Sequence, residues 1–477
     1  MAVIIPPPPP LHSILVSLQP PEFLPPPHQD HTTISRSELD KWRESMTRAI
    51  HQTKELLELG SSEGKELEEV EKISLAEGLA RWETRNLFGE QELEGWILPA
   101  EVTEQINELL STKLPPPSLE SLKPIFSSSA PAQISMSSFR PLSKPIISDE
   151  VAPEREKWKQ RAGWGCWNIL RRAIEGLDPA QPPPFPLLLP PLLTLMDDPD
   201  PIFRLRAQWA FYSLLEKTKK ASLSGSSDIK RGWGGKWLVQ TGIGALFFKS
   251  LNTSLHLPSP SSLPQTLTNH LALTELLYPM NSQAKTDALD ELIERGLVGT
   301  WIYRTGGEEG EGAREIATWL RGGELVRVLG DLGTVRVLGI ILPSLLLPLG
   351  TLSPTSPRST VFLSDLLQAI SVFLVATLKV APKRVAAWRG KVFNGLGRLW
   401  VAVVENEKIG GELTSTALSL KQQISQILGL LAQSYPAFLD EVKAVASLDP
   451  SIFEGFVESI PDTRLDVENK RNPPKCV

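Results

Sequence analysis

LLLPPLLTLMDDPDPIFRLRAQWAFYSLLEK, residues Leu187–Lys217, reads as two helices joined by an acidic turn. The first is apolar through Leu187, Leu189, Leu192, Leu193, Leu195 and Met196. Asp197 and Asp198 fall in the turn, where short carboxylate side chains accept backbone amides. Asp200 then stands where a helix cap is needed, and Pro201 fits the first helical position, where no amide hydrogen is required. Phe203, Ala207, Ala210 and Leu214 recur as one inward stripe of the second helix. Arg204 and Arg206 are expected to reach back to the turn carboxylates.

Outward from this hairpin, most of the chain repeats the same period. Helical apolar spacing opens with Leu39, Trp42, Met46, Ala49, Ile50 and Leu57, behind the start signature Ser37-Glu38-Leu39-Asp40. A Glu-rich stretch follows to Glu94, with Leu75, Leu79, Trp82 and Leu93 as a thin apolar face. From Glu154 the pattern is continuous: Trp158 to Ile174, Trp233 to Leu255, Leu267 to Tyr278, Ala288 to a glycine stop at Gly296, then segments around Leu320, Ile370, Trp400 and Leu428. Period-two alternation is missing; only Trp301-Ile302-Tyr303 tempts a strand reading. Many helices with short turns leave a bundle or a stack of helix pairs. The Leu187–Lys217 hairpin resembles the HEAT repeat, with its Asp-containing turn and an early basic residue in the second helix. The expected fold is therefore all-α, a HEAT-like α-solenoid of stacked antiparallel helix pairs. Its expected parts are a Pro-rich disordered tail over 1–34 (Pro6–Pro10 and Pro25–Pro27), a helical module over 35–113, a Pro/Ser-rich linker over 114–153, a helical repeat domain over 154–460 and a frayed tail over 461–477.

Composition narrows the chemistry. With 41% hydrophobic and 22% charged residues the chain can bury a core, so disorder throughout is excluded. A net charge of −6 supplies no global positive field for nucleic acid or anionic lipid. Two cysteines, Cys166 and Cys476, exclude a disulfide scaffold, and no histidine follows His270. The N-terminus lacks the basic start of a signal peptide. Val337–Pro357 is interrupted by prolines, and Leu366–Leu378 is shorter than the ~20 residues that span a bilayer; both are read as buried helices, with no membrane partner.

Chemical motifs fare poorly. Asp197, Asp198 and Asp200 resemble in outline the DDxxD motif of magnesium-dependent helical enzymes, but the fifth position is Pro201 and prolines flank the acids. Carboxylates in a turn cannot present one helical face to a metal. Gly232–Trp237 lacks phosphate-loop spacing, Gly242-Ile243-Gly244 lacks its third glycine, and Gly306–Gly312 is acidic. Cys166 has no nearby histidine to activate it and reads as a small buried hydrophobe. The basic cluster Lys379, Lys383, Arg384, Arg389 and Lys391 reads as a solvated helix face or an interface rim. No catalytic residue, cofactor or metal site is expected.

The order WGCWNILRRAI, then LLLPPLLTLMDD with a basic second helix, then WLVQTGIGALFFKSL and LPSP, resembles the Tti-two family, the second Tel-two-interacting proteins. Its blocks fall at Leu187–Asp198, Thr241–Leu251 and Leu257–Pro260, within a resemblance that runs over roughly residues 155–435. The resemblance implies a non-catalytic subunit of the TTT co-chaperone complex, partnered by Tti-one and Tel-two type HEAT proteins and a chaperone adaptor. It implies service to phosphatidylinositol-3-kinase-related kinases of the TOR, ATM and ATR types, hence to growth, DNA-damage and telomere signalling, in cytoplasm and nucleus. On this reading the chain is one member of a hetero-oligomer, with no nucleic-acid partner. Leu366, Leu367, Ile370, Phe373, Leu374, Ile424 and Leu428 are expected partner-binding side chains, because the helices Leu363–Leu378 and Leu420–Leu431 are more apolar than one self-contained face requires; Trp388 and Trp400 join them as aromatic interface anchors. An unrelated transport or trafficking adaptor, and a magnesium-dependent enzyme, are the alternative readings.

Overall fold

The structure, a computed structural model, describes residues 11–24, 34–63, 67–83, 98–126, 157–160, 163–224, 234–256, 263–298, 321–351, 357–410 and 415–453, with Pro354 and Phe456. Among the described residues every regular element is helical and there is no strand. Trp301–Tyr303, the prolines at 6–10 and 25–27, Cys476 and the tail from 461 lie outside them. The chain forms two compact units, Met1–Ser254 and Leu255–Val477.

Unit 1 begins with α1 (Leu11–Ser17), α2 (Arg36–Glu63), α3 (Glu69–Ala80) and α4 (Ala100–Thr112). A 3-10 turn at Leu119–Leu122 runs into α5 (Lys123–Phe126), and another covers Lys157–Lys159. Then come α6 (Cys166–Glu175), α7 (Phe185–Met196), α8 (Pro201–Ser224), α9 (Gly235–Gln240) and α10 (Ile243–His256), whose last two residues already belong to unit 2. The 11–24 stretch, expected to be part of a disordered tail, is packed: Ile14, Leu18 and Leu24 are buried, and the Trp82 indole donates to the Leu18 carbonyl at 2.8 Å. Three apolar side chains anchor it despite its prolines. Trp82 also meets Trp42 of α2, ring centroids 4.8 Å apart, so the Glu-rich module has a firm core rather than a thin face. The opening of the expected linker behaves likewise. Leu119, Leu122, Ile125 and Phe126 are buried, and Phe126 stacks on Trp158 at 5.5 Å; residues 127–153 lie outside the described set. The two compact units accordingly part between Ser254 and Leu255, not at 114–153.

Unit 2 holds α11 (Leu263–Leu277), α12 (Gln283–Glu291), α13 (Gly322–Thr351), α14 (Pro357–Val380), α15 (Pro382–Gly410), α16 (Ser415–Ser434) and α17 (Ala437–Ala446). Gly296 does not stop α12. The helix widens into a π-turn over Leu292–Val298, and a Cβ at Gly296 would come within 2.9 Å of the Leu255 side chain, so the glycine serves packing rather than termination. α13 packs on α14 and α15, α16 packs on α14 and α15, and α11 and α12 lie against α13. Gly330, at φ 65°, breaks α13 in a backbone conformation that side chains with a Cβ rarely adopt.

Two helical stretches, Gly322–Leu349 and the 22-residue Ser359–Val380, are long and apolar enough to cross a membrane, which corrects the expectation that the second is too short. Their inward residues form the interior of unit 2: Leu338, Ile341, Leu342, Leu345, Leu363 and Ile370 are at most 1% exposed. Burial of this kind, at roughly 25 cal/mol per Å² of apolar surface, is what holds the unit.

Candidate functional site

The Asp197–Asp200 turn joins α7 to α8, and each acidic side chain there has a separate task. Asp198, 3% exposed, accepts the Asp200 amide at 2.8 Å with one oxygen; the other meets Lys159 Nζ at 3.0 Å and the Trp158 indole at 3.4 Å. Asp200 accepts the Ile202 amide at 2.8 Å, the cap expected from sequence. Asp197 points away and accepts the Ser250 hydroxyl of α10 at 2.6 Å. The carboxylates thus diverge, one to α10, one to the Lys157–Lys159 turn and one to α8. They do not present a common face for a metal, and among the described residues no group of three or more His, Cys, Asp or Glu could hold one.

Two arginines complete the hairpin in ways the sequence did not disclose. Arg204, 1% exposed, donates to the backbone carbonyls of Asp198, at 2.7 Å, and Pro199 rather than to the carboxylates. Burial pulls its guanidinium below the ordinary range, against the pull of Asp198 and Asp200. Arg206 lies flat over Trp167, 3.7 Å from the ring centroid, a cation–π contact that ties α8 to α6. Phe203, Ala207, Ala210 and Leu214 form the expected inward stripe, 0–2% exposed.

A second charged cluster went unnoticed in the sequence. Glu83, fully buried at its side chain, receives Arg171 at 3.0 Å and Arg172 at 2.7 Å, both from α6. Asn168 donates to the carbonyls of Arg81 at 3.2 Å and Glu83 at 2.9 Å, and Arg81 donates to the Trp164 carbonyl at 2.7 Å. The signal available was the Arg171-Arg172 pair on a helix otherwise given to Trp, Ile and Leu. What it lacked was any hint that the neutralising acid lies about ninety residues earlier, a separation of 89 for Arg172. Cys166, beside this cluster, is buried.

The expected partner-binding side chains require correction. Leu366, Leu367, Ile370, Phe373, Leu374, Trp400, Ile424 and Leu428 are 0–2% exposed within the chain's own unit 2, and Trp388 is half-buried against the same core. The surplus of apolar residues that suggested an interface is consumed by helices that cover one another: α14 lies against both α13 and α16. Of the basic cluster, Arg389 pairs with Glu441 at 2.8 Å, whereas Lys379, Lys383, Arg384 and Lys391 are exposed.

Buried charges thus brace helices, and among the described residues no constellation of reacting groups converges. A family model described as the Tti2 family matches residues 105–349, just over half of the chain. The chain belongs to the Tti2 family. Neither a curated protein nor a solved structure matches it. The Tti2 match starts earlier than the resemblance at 155–435: it opens within α4, in the expected helical module, and runs through α5 and the stretch 114–153 expected to be linker. It contains the Asp197–Asp200 turn and both of the described sequence blocks, Leu187–Asp198 and Thr241–Leu251; Leu257–Pro260 is matched but lies outside the described residues. It ends before α14, leaving α14–α17 beyond it.

Proposed function

We propose that the chain is a non-catalytic scaffold subunit of the TTT co-chaperone complex, helping phosphatidylinositol-3-kinase-related kinases of the TOR, ATM and ATR types to mature, and so serving growth, DNA-damage and telomere signalling. The single observation that carries this is membership of the Tti2 family. Its partners on this reading are the Tti-one and Tel-two type HEAT proteins and a chaperone adaptor, in cytoplasm and nucleus. The helix pairs stack as a HEAT-like solenoid, a form whose long surfaces suit protein partners. The α7–α8 hairpin supports that reading: an Asp turn, a capping Asp200 and a buried basic residue early in the second helix. The divergence of the three turn carboxylates favours a scaffold over magnesium-dependent catalysis.

Affinity purification of the full chain from cells tests the proposal. Recovery of two large helical-repeat proteins together with chaperone components is the expected result. Recovery of transport receptors or coat proteins in their place would overturn it and favour the trafficking adaptor.

A further inference from the structure

Resting on the scaffold reading, we propose that the outer face formed by α13 and α15 docks an acidic amphipathic helix of another protein. Two stripes meet there. On α13, Leu332, Ile340 and Leu347 are 88%, 40% and 68% exposed and recur at steps of eight and seven residues, one side of a helix. Pro343, between them, is also exposed. On α15, Arg384, Lys391 and Arg398 are exposed and recur at steps of seven.

The geometry joins the stripes along a single seam. Trp388 of α15 sits against Gly339 of α13, its Cζ2 3.8 Å from where a Cβ would stand, and Gly395 lies similarly against Leu346 and Leu349. Arg384 and Lys391 flank Trp388 by four and three residues, and Lys391 and Arg398 flank Gly395 in the same way, so all three cations border the seam. Lys391 lies over the Trp388 ring, 4.4 Å from its centroid, which holds the cation at the seam. From Pro382 to Val404 there are five cations and no acid, in a chain of net charge −6.

Exposed leucine and isoleucine at helical spacing fit the apolar side of a partner helix, read as anchors every three or four residues. The bordering cations fit carboxylates flanking that side, which steers association and selects against basic helices. The apolar stripe favours a protein helix over nucleic acid, for which a row of phosphates needs cations and stacking surfaces but no leucines.

The probe is a labelled peptide of roughly 20 residues, long enough to become helical when bound, with leucines on one side and glutamates on both flanks. Its binding to the full chain is read by fluorescence anisotropy beside a twin with glutamine in place of glutamate. At low salt the glutamate peptide is expected to bind at least about tenfold more tightly than its twin, an advantage that shrinks as salt screens it. The R384E/K391E/R398E chain should lose that preference and gain one for a lysine-flanked peptide, while I340S/L347S should weaken all the peptides together. Equal binding of the two peptides, or a triple variant that binds as before, would overturn the proposal. So would binding of single-stranded RNA or anionic vesicles through these cations in the peptide's stead. If the triple variant still recovers the large helical-repeat partners while no peptide binds the native chain, the docking face is wrong and the scaffold reading stands. If the native chain recovers no such partners, the scaffold reading fails.

Discussion

At Gly165 the backbone turns with φ 70°, and a Cβ would stand 2.3 Å from the carbonyl oxygen of Arg81. Substitution therefore meets both a disfavoured conformation and a neighbouring main chain that cannot rotate aside. Gly165→Ala should cost about 1–3 kcal/mol, measurable as a lowered thermal midpoint. Asp198→Ala removes an acceptor from the Asp200 amide and leaves Lys159 without its carboxylate; a loss of about 1–3 kcal/mol is expected in denaturant titrations, with no dependence on added magnesium. His270 offers a different handle. Burial holds its pKa down at about 4, below the usual 6.5, so the folded state keeps it neutral while the unfolded chain takes a proton first. Stability from this site is complete above pH 6.5 and falls as pH drops from there towards 4, by about 2–4 kcal/mol. His270→Gln should flatten that part of the stability–pH curve. The residue scale was legible where chemistry is local. Asp200 capping its own helix could be read from four letters; Arg206 lying over Trp167 could not, since nothing in the sequence brings that guanidinium and that ring together.

Among elements, α6 is held at both ends and along one side. Glycines stand at both of its ends: Gly165 against Arg81, and Gly176, where a Cβ would lie 2.1 Å from the Pro116 side chain. Between them, Arg171 and Arg172 share the buried Glu83. Removing one partner from such a cluster leaves charge in a medium that does not solvate it, and the penalty exceeds the benefit the pair supplied. Glu83→Gln should therefore destabilise the fold by about 3–5 kcal/mol. Glu58→Gln, at an exposed partner of Lys113 2.8 Å away, should leave stability nearly unchanged, because solvent screens that pair. Paired equilibrium unfolding of the two variants checks the contrast. Helix existence was readable from period 3.6 alone. The partner-binding assignment failed because the same period marks any buried face, and Ile370 or Leu428 carries no mark saying whether its cover comes from this chain or another.

Over the molecule as a whole, Met1–Ser254 and Leu255–Val477 each have their own interior. Two cooperative transitions are the expected result in calorimetry, with Ile370→Ala lowering one of them by about 2–5 kcal/mol and leaving the other in place. A single transition shifted as one by that substitution would contradict it. The all-helical class was visible in the sequence. The place where the units part was not, because composition shifts most at 114–153 whereas contacts depend on a few apolar residues such as Leu122 and Phe126 that hide among prolines and serines.

The Glu83 cluster bears on how this protein can be dissected. A fragment cut to the family boundaries, 105–349, would keep both guanidinium groups of α6 and discard the carboxylate they surround, along with the Arg81 and Glu83 carbonyls that hold Asn168. Such a piece would strip two interior cations of the carboxylate 3.0 and 2.7 Å away and leave them the more distant Glu175, at 3.8 and 3.5 Å. Its minimal soluble form should need the chain back through α3, so a failed expression trial of the shorter fragment would speak of a missing counter-ion and not of a protein unable to fold.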